Sequence, residues 1–428
     1  MISEICALLA LVVAAVGAHA QAPPQQCPIR ASPSVDLTLA DGRTVYVEAH
    51  SFASQGGWAF LAGRPNFIMR GTHLEATDSI FGVTFTSPES VQMVPLPPHV
   101  SNASNPRVLP LGDGHWAAVF AEVAPGGRIP SYSHVLRLWY GVFDGVAWSQ
   151  MEQIPIPAKG WLRAYATSAL IANGDTLTVA MPLDSVSATN PVETHVAVFT
   201  RNGGRWSISE IPTYTVGYLS LVSLGADGMR IAVVQADTSR RPSDSGSLFV
   251  YGPDPNWPSG GVLVQGRDTP VHFPLLRDDG DKFYLSWMEI PHTGFSWIAH
   301  SYSGSNADLL SRPVARMDSA AVTEMDPNAV LLMQTTADGI PTRWLVTDHA
   351  ESSERGAPHE LRLYDDSTGN PRLVSSVPNE YTGEVGESVL LRSSGRILVV
   401  GPHFYGSFNK GGSVTTGVVQ FALSCRDR

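Results

Sequence analysis

Charged residues follow seven short apolar stretches of the chain, and they are the first candidates for chemistry. In chain order they are Arg64, Glu122, Asp184, Asp237, Glu289, Asp348 with His349, and His403. Carboxyl and imidazole groups transfer protons in enzymes, and guanidinium groups bind anions. Their regular placement predicts that these side chains lie at similar heights on one face of the fold.

Two groups of opposite character stand out within this series. Three consecutive stretches supply an acidic arc, formed by Asp237, Glu289 and Asp348. A facing group of cationic or titratable residues is supplied by Arg64, Arg128 and His403. The acidic residues are therefore our candidates for acid and base, and the facing group for holding an anionic ligand.

This polarity is compatible with several functions. Two of the three carboxyl groups could hydrolyse a glycosidic bond, which requires a separation of about 5 Å for retention or about 6.5–9.5 Å for inversion. The same oxygens could hold a divalent cation, or the face could orient a sugar or peptide without reacting. Polar residues also mark the points where strands emerge into water, without any function.

Aromatic residues are predicted on the same face. Trp161 lies between two of the repeating units described below, and Tyr405 follows His403 closely. Aromatic rings stack on sugars and anchor protein partners, so both residues and His349 are candidates for ligand binding. Aromatic residues at such junctions more commonly belong to the core packing.

The elements that must position these residues repeat along the chain. Between Leu111 and Ile154, apolar runs are split by two tight-turn pairs, Asp113-Gly114 and Asp144-Gly145, which is the pattern of four antiparallel strands. Corresponding first turns recur every 52 to 60 residues at Gly56-Gly57, Asp113-Gly114, Asn173-Gly174, Asp227-Gly228, Asp279-Gly280, Asp338-Gly339 and Ser394-Gly395. Seven units of four strands predict an all-β, seven-bladed β-propeller, with residues 21–428 as its single domain. The loops after each second strand should rim its central funnel, and we call that side the funnel face.

The two ends of the chain are predicted to close the ring. The last unit lacks a fourth strand, and the stretch Asp36 to Ala40 alternates like a strand that could supply it. Cys27 precedes this stretch and Cys425 follows the last strand, so a disulfide between them fits an exported protein. Two free thiols are the alternative.

Composition limits the classes of partner. The net charge is −11 and no basic cluster occurs, which argues against nucleic acid. Residues 1–20 resemble a secretory signal that ends in Ala18-His19-Ala20, although no Lys or Arg precedes its apolar run. We therefore expect a secreted or periplasmic protein with no membrane span. No motif indicates a metal or another cofactor, and we expect a monomer.

The later turns resemble a sialidase motif. In sialidase-like propellers an aspartate box of the form Ser-x-Asp-x-Gly-x-Thr-Trp occupies this turn, and Gly145 with Trp148 keeps its Gly-to-Trp spacing, as does Gly203 with Trp206. The Asp position holds Phe143 and Arg201 instead. Arg128-Ile129-Pro130 is similar to the sialidase Arg-Ile-Pro motif but lies in a loop, and sialidases have six blades.

Two functional hypotheses follow. The first is an exported propeller that binds a glycan or a protein partner over the funnel face. The second, which the resemblance implies, is a glycoside hydrolase or lyase in which Asp348, Glu289 or Asp237 supplies acid and base. A scaffold that contacts partners through its blade edges is a third possibility, and a shared fold decides among none of these.

Overall fold

A computed structural model gives the structure of most of the chain. It describes residues 29–70, 73–76, 80–100, 103–123, 135–156, 161–162, 169–187, 190–212, 216–223, 229–236, 246–251, 262–264, 271–278, 281–289, 298–310, 317–337, 340–352, 357–367, 369–379, 388–405 and 413–423. Almost all of these residues are in antiparallel strands.

The first four units are numbered in chain order after an N-terminal strand, β1 (Ile29–Asp36). Unit one contains β2 (Val45–Gln55), β3 (Trp58–Arg70), β4 (His73–Ala76), β5 (Ile80–Phe85) and β6 (Val91–Pro95). Unit two contains β7 (Ala103–Gly112), β8 (His115–Val123), β9 (Val135–Phe143) and β10 (Trp148–Ile154). Unit three contains β11 (Trp161–Leu162), β12 (Ala169–Asn173), β13 (Thr176–Ser187), β14 (Asn190–Asn202) and β15 (Arg205–Pro212). Unit four contains β16 (Val216–Ser223), β17 (Met229–Ala236), β18 (Gly246–Tyr251) and β19 (Val262–Val264).

The last three units complete the molecule. Unit five contains β20 (Val271–Asp278), β21 (Lys282–Glu289), β22 (Ile298–Ser305), the short helix α1 (Asn306–Leu310), a 3-10 turn (Ser319–Ala321) and β23 (Thr323–Pro327). Unit six contains β24 (Ala329–Ala337), β25 (Ile340–Ala350), β26 (His359–Asp365) and β27 (Arg372–Asn379). Unit seven contains β28 (Ser388–Leu391), a 3-10 turn (Arg392–Ser394), β29 (Arg396–Tyr405) and β30 (Ser413–Leu423).

The fold is a β-propeller built from four-stranded antiparallel blades, as the repeats predict. The first strand of each unit contacts that of the next, and β28 contacts β2, so the series returns to its start. The tight turns explain the short hairpins. Asp113 and Gly114 both adopt positive φ, at 52° and 79°, which is the conformation of a two-residue hairpin turn.

The number of blades is six rather than the seven predicted, when each hydrogen-bonded sheet is counted as one blade. The difference lies between units six and seven, whose eight strands form one hydrogen-bonded sheet in the order β1-β30-β29-β28-β24-β25-β26-β27. A single parallel pair, Thr336 with Val389, joins the two units through their first strands. Turn spacing and apolar patterns do not indicate backbone hydrogen bonds between neighbouring units. The sequence therefore predicted units six and seven as separate blades.

An N-terminal strand closes the last unit, as predicted, but it begins earlier in the chain. β1 pairs antiparallel with β30, and it ends at Asp36, where the predicted strand was to begin. Beyond it, Leu37 donates its backbone N–H to the carbonyl of Thr416 at 2.9 Å, and Thr38 and Leu39 form isolated bridges. The Asp36 carboxylate accepts a hydrogen bond from Thr415 at 2.8 Å. Cys27, Cys425 and the predicted signal lie outside the described residues.

The core lies between neighbouring units rather than at one centre. Ala59, Phe60, Leu61 and Ala62 are all fully buried, so β3 is covered on both of its faces. The apolar run follows from this position, since a strand sandwiched between blades has no face exposed to water. The second strands are therefore rigid supports for the residues at their ends.

Candidate functional site

Polar side chains from units five and six cluster at the funnel face. Strands β21 and β25 end there at Glu289 and Ala350, and β26 begins there at His359. Consecutive antiparallel strands run in opposite directions, so the second and fourth strands of a unit end on the same face. The fourth strands β23 and β27 therefore also end on this face. The structure describes three groups of interacting side chains at this edge.

The first group surrounds Asp348. Its carboxylate accepts a hydrogen bond from Asn379 Nδ2 at 2.8 Å, and its Oδ2 lies 3.1 Å from Nδ1 of His359. Burial of the carboxylate raises the pKa of Asp348, and the hydrogen bond from Asn379 and the neighbouring His359 only partly oppose this. The side chain of His359 is 38% exposed, so a buried acid orients an imidazole that reaches solvent.

The second group surrounds Asp326, which is 1% exposed at the end of β23. Its carboxylate accepts hydrogen bonds from Tyr364 Oη at 2.6 Å, Arg362 Nη1 at 2.9 Å and Thr347 Oγ1 at 3.1 Å. Nδ1 of His349 lies 2.7 Å from Oδ1, close enough for an ion pair although not in hydrogen-bonding direction. Burial, with the adjacent carboxylate, holds the pKa of Tyr364 well above its ordinary value. This group ties the last strand of unit five to unit six.

The third group surrounds Glu289. Trp287 donates its indole N–H to Oε1 of Glu289 at 3.1 Å, and Nε2 of His300 lies 3.8 Å from Oε2. The imidazole stacks on Trp287 with ring centroids 5.5 Å apart. Burial lowers the pKa of His300, although Glu289 and Glu324 act in the opposite direction. The neutral imidazole is favoured here.

The alternation of side chains along a strand assigns each group to an interface. Leu285 and Trp287 pack with apolar residues of unit four, so Glu289 lies on that face of unit five. Val346 packs with residues of unit seven, so Asp348 lies on that face of unit six. The sheets of units five and six both lie between the two carboxylates. Since packed sheets are about 10 Å apart, Glu289 and Asp348 are not neighbours.

The structure locates the other predicted site residues only in part. His349 lies beside Asp326 in the interface of units five and six. Arg64, Trp161, His403 and Tyr405 lie within strands β3, β11 and β29 rather than in loops beyond them. Asp237 and Arg128 lie outside the described residues. The catalytic and ligand-binding roles of all these residues stay predictions.

Several residues of these groups were missed by sequence reasoning, among them three that lie near the ends of strands. His359 and Asn379 begin and end strands of unit six, and Asp326 ends the last strand of unit five. The prediction considered only the ends of second strands, although third strands begin and fourth strands end on the same face. The alternating four-strand pattern contained that signal.

No metal site is recognised in the described ranges, where no three His, Cys, Asp or Glu side chains converge on one point. Within the same ranges, no helix has the length and apolar character to cross a membrane.

Comparison with known proteins finds structural similarity at low sequence identity. No protein-family description matches the chain, and no curated protein matches it in sequence. Among solved structures, a Hadza microbial sialidase is similar over 85% of this chain and 74% of its own, with 9% identity and a TM-score of 0.44. An alpha-L-arabinanase from Penicillium chrysogenum has 14% identity over 74% of this chain and 92% of its own, with a TM-score of 0.42. A GH32 beta-fructofuranosidase from Bombyx mori has 13% identity over 74% and 75%, with a TM-score of 0.39.

The raised pKa of Asp348 gives a prediction about stability and pH. A carboxyl whose folded-state pKa lies above its unfolded value, which is about 3.9, binds a proton more tightly in the folded protein. Its ionisation therefore costs stability as pH rises through the window between these two values. We expect Asp348→Asn to gain stability relative to the wild type as pH rises from below that window to neutrality.

Urea unfolding of both proteins at a series of pH values checks this prediction. The difference in free energy of unfolding should level off below the ordinary carboxyl range, where Asp348 is protonated in both states. A difference that changes in the opposite direction would mean that the hydrogen bonds around Asp348 stabilise its charge more than burial destabilises it.

Proposed function

We propose that this protein is exported and binds a glycan over the funnel face of its propeller without cleaving it. The observation that carries the proposal is that the two described candidate carboxylates at this face lie in different interfaces, each with its own hydrogen-bonding partners. Asp348 and Glu289 are each engaged by neighbouring side chains in different interfaces. A pair of glycosidase carboxyls must instead face one substrate bond across a shared gap.

The partly exposed residues at this edge suit the recognition of a polar ligand. The side chains of His359, Glu360 and Arg362 are 38%, 34% and 23% exposed, and each is oriented by a charged neighbour. Donors and acceptors that are fixed before binding lose little entropy when a ligand engages them. A glycan, which offers many hydroxyl groups, fits such an edge better than an apolar ligand does.

A glycoside hydrolase is the second candidate, because of one observation. The general acid of such an enzyme needs a raised pKa, and burial raises that of Asp348. In this alternative Asp348 protonates the leaving group, while Asp237 remains the candidate for the second carboxyl. Arg64, Arg128 and His403 would hold an anionic sugar in either case.

A binding assay with an activity readout tests both candidates. The full chain is incubated with arrays of neutral glycans and of glycans that carry sialic or uronic acids, and bound species are retested by calorimetry and mass spectrometry. We expect binding without cleavage. Cleavage that is lost in Asp348→Asn while that variant stays folded would favour the hydrolase, and neither binding nor cleavage would overturn both candidates.

Replacement of His359 locates the site. We expect His359→Ala to weaken glycan binding about fivefold, because one hydrogen bond to a polar ligand contributes about 1 kcal/mol. His115, which is exposed at the opposite face, provides the matched control, and His115→Ala should leave the affinity unchanged. Equal losses in both variants would place the binding site elsewhere.

Export and assembly belong to the same proposal. We propose that residues 1–20 are removed as a signal, that the mature protein is secreted or periplasmic, and that it is a monomer. N-terminal sequencing of protein recovered outside the cytoplasm should start near Gln21, and its elution volume should match one chain. An intact N-terminus at Met1 would contradict export by this route.

A further inference from the structure

A cleft opens between units one and two on the side opposite the funnel face. We call this side the turn face, because the hairpin turns after the first strands, such as Gly56-Gly57 and Asp113-Gly114, lie there. The cleft has a volume of about 340 Å³. Pockets of about 300–1,000 Å³ are typical of sites for small ligands.

Aromatic and amide side chains line the cleft. Its principal lining residues are Gln55, Trp58, Thr84, Gln92, Trp116 and Asp144. Trp116 is 2% exposed and packs edge-on against Phe60, which makes it a fixed wall. Trp58, by contrast, is 38% exposed and offers a large apolar surface to solvent. An exposed indole next to an ordered cavity is a surface that a ligand can cover.

The cleft is held in shape by hydrogen bonds between the two units. Gln55 of unit one accepts a hydrogen bond from the backbone N–H of Gly112 at 2.7 Å and donates one to the carbonyl of His115 at 3.3 Å. Both polar atoms of this amide therefore bridge to the hairpin of unit two. The two units cannot separate or slide at this point without breaking these bonds, so the cleft exists before any ligand binds.

The polar lining indicates the chemistry of the ligand. Oδ1 of Asp144 accepts hydrogen bonds from the backbone N–H groups of Val146 and Ala147, which fixes the carboxylate at the rim. The backbone bonds hold the pKa of Asp144 below its usual range, so the group is an acceptor at neutral pH. Gln92 is exposed and adds a donor and an acceptor. None of the described residues that line the cleft is cationic, which disfavours anionic ligands.

We propose that this cleft is a second ligand site that binds a neutral sugar, with one face of the ring stacked on Trp58 and its hydroxyl groups bonded to Asp144 and Gln92. A pyranose ring combines an apolar C–H face with hydroxyl groups at its edge, which matches an indole flanked by a carboxylate and an amide. The site is separate from the funnel face and does not depend on the function proposed there.

Titration of the full chain with neutral disaccharides tests the proposal. Maltose, cellobiose, lactose and mannobiose are added separately, and binding is followed by calorimetry and by the change in tryptophan fluorescence. We expect at least one of them to bind saturably, and Trp58→Ala to weaken that binding at least about tenfold because the stacking surface is lost. Gln92→Ala should weaken it by a smaller factor, and Trp58→Phe should retain part of the affinity.

The control is Met93→Ala. Met93 follows Gln92 in the same strand, points to the other side of the sheet and is 43% exposed, so its removal should not change the affinity. His359→Ala at the funnel face should also leave this binding intact. The proposal would be overturned if no disaccharide bound saturably, or if both Trp58 variants and Gln92→Ala bound as tightly as the wild type. It would also be overturned if Met93→Ala lost as much affinity as Trp58→Ala. If Trp58→Ala fails to fold, the Trp58→Phe and Gln92→Ala variants decide.

Discussion

Replacing Asp326 with alanine is expected to lower the free energy of unfolding by about 3–5 kcal/mol. The carboxylate is buried between units five and six, where it accepts hydrogen bonds from Thr347, Arg362 and Tyr364 and lies beside His349. Alanine removes the carboxylate that these side chains share. The two buried hydroxyls of Thr347 and Tyr364 and one N–H of the Arg362 guanidinium then lose this acceptor. Removal of one member of a buried charged pair costs more than the pair itself contributes.

Equilibrium unfolding in urea, followed by far-ultraviolet circular dichroism, measures this effect. Asp326→Asn should lose less stability, because the amide keeps one acceptor and the shape of the side chain. Asp41→Ala is the matched control, since Asp41 forms an ion pair with Arg43 that is open to solvent, and its loss should cause no measurable change. If Asp326→Ala matches the control, the cluster does not hold units five and six together.

The fold could be predicted because its signals are local. The Asp113-Gly114 pair predicts a hairpin because both residue types tolerate the positive φ angles of a two-residue turn. The continuous apolar run Trp58 to Ala62 predicts a strand that is buried on both faces. The regular spacing of such turns then indicates the propeller. The bounds of the closing strand were harder to predict from the sequence. The stretch Asp36 to Ala40 alternates in polarity as β1 does, and pairing with β30 shows which of the two stretches is the closing strand.

For the candidate site, the sequence could predict the face of the molecule but not the contacts between its side chains. Asp348 and Glu289 lie at or near the ends of second strands, which is the feature of the sequence that singled them out. The partners of Asp348, however, are His359 and Asn379, which approach it across two strands of the same sheet. Strand register and the side of the sheet decide such contacts, and a shift of one residue would reverse every side chain.

The opposite faces of units five and six also limit what chemistry the site can perform. Glu289 is directed toward unit four and Asp348 toward unit seven, so these two carboxylates belong to separate clusters and do not share one acidic pocket. Each carboxylate has its own histidine, His300 or His359. Such an edge presents fixed polar groups to a ligand, which supports the glycan recognition that we propose.

We expect a disulfide between Cys27 and Cys425 in the exported protein. Neither residue is described, and the expectation rests on the strands that lead to them. In the pairing of β1 with β30, Ile29 is opposite Leu423 and Ala31 is opposite Phe421. The first of these pairs is the last described one, and Cys27 and Cys425 each lie two positions beyond it in the sequence. Directly opposed residues of antiparallel strands have Cβ atoms about 4.5–5.5 Å apart, close to the separation that a disulfide requires, so the expected bond needs this pairing to continue for two more residues.

The consequence for stability is expected to be large. The bond would link the two ends of the domain, and closing so long a loop stabilises the folded protein by up to about 6 kcal/mol in the chain-entropy model. It would also lock β1 onto β30 and so prevent the seventh unit from losing its outer strand. We therefore expect the double substitution Cys27→Ser with Cys425→Ser to unfold at a markedly lower urea concentration.

Peptide mapping without reduction tests the bond directly. A linked peptide containing Cys27 and Cys425 should be found in protein recovered from an oxidising compartment, and it should separate on reduction. Reduced wild type should unfold at the same urea concentration as the double variant, because both lack the same link. Alkylation of both thiols in the folded, unreduced protein would contradict the prediction.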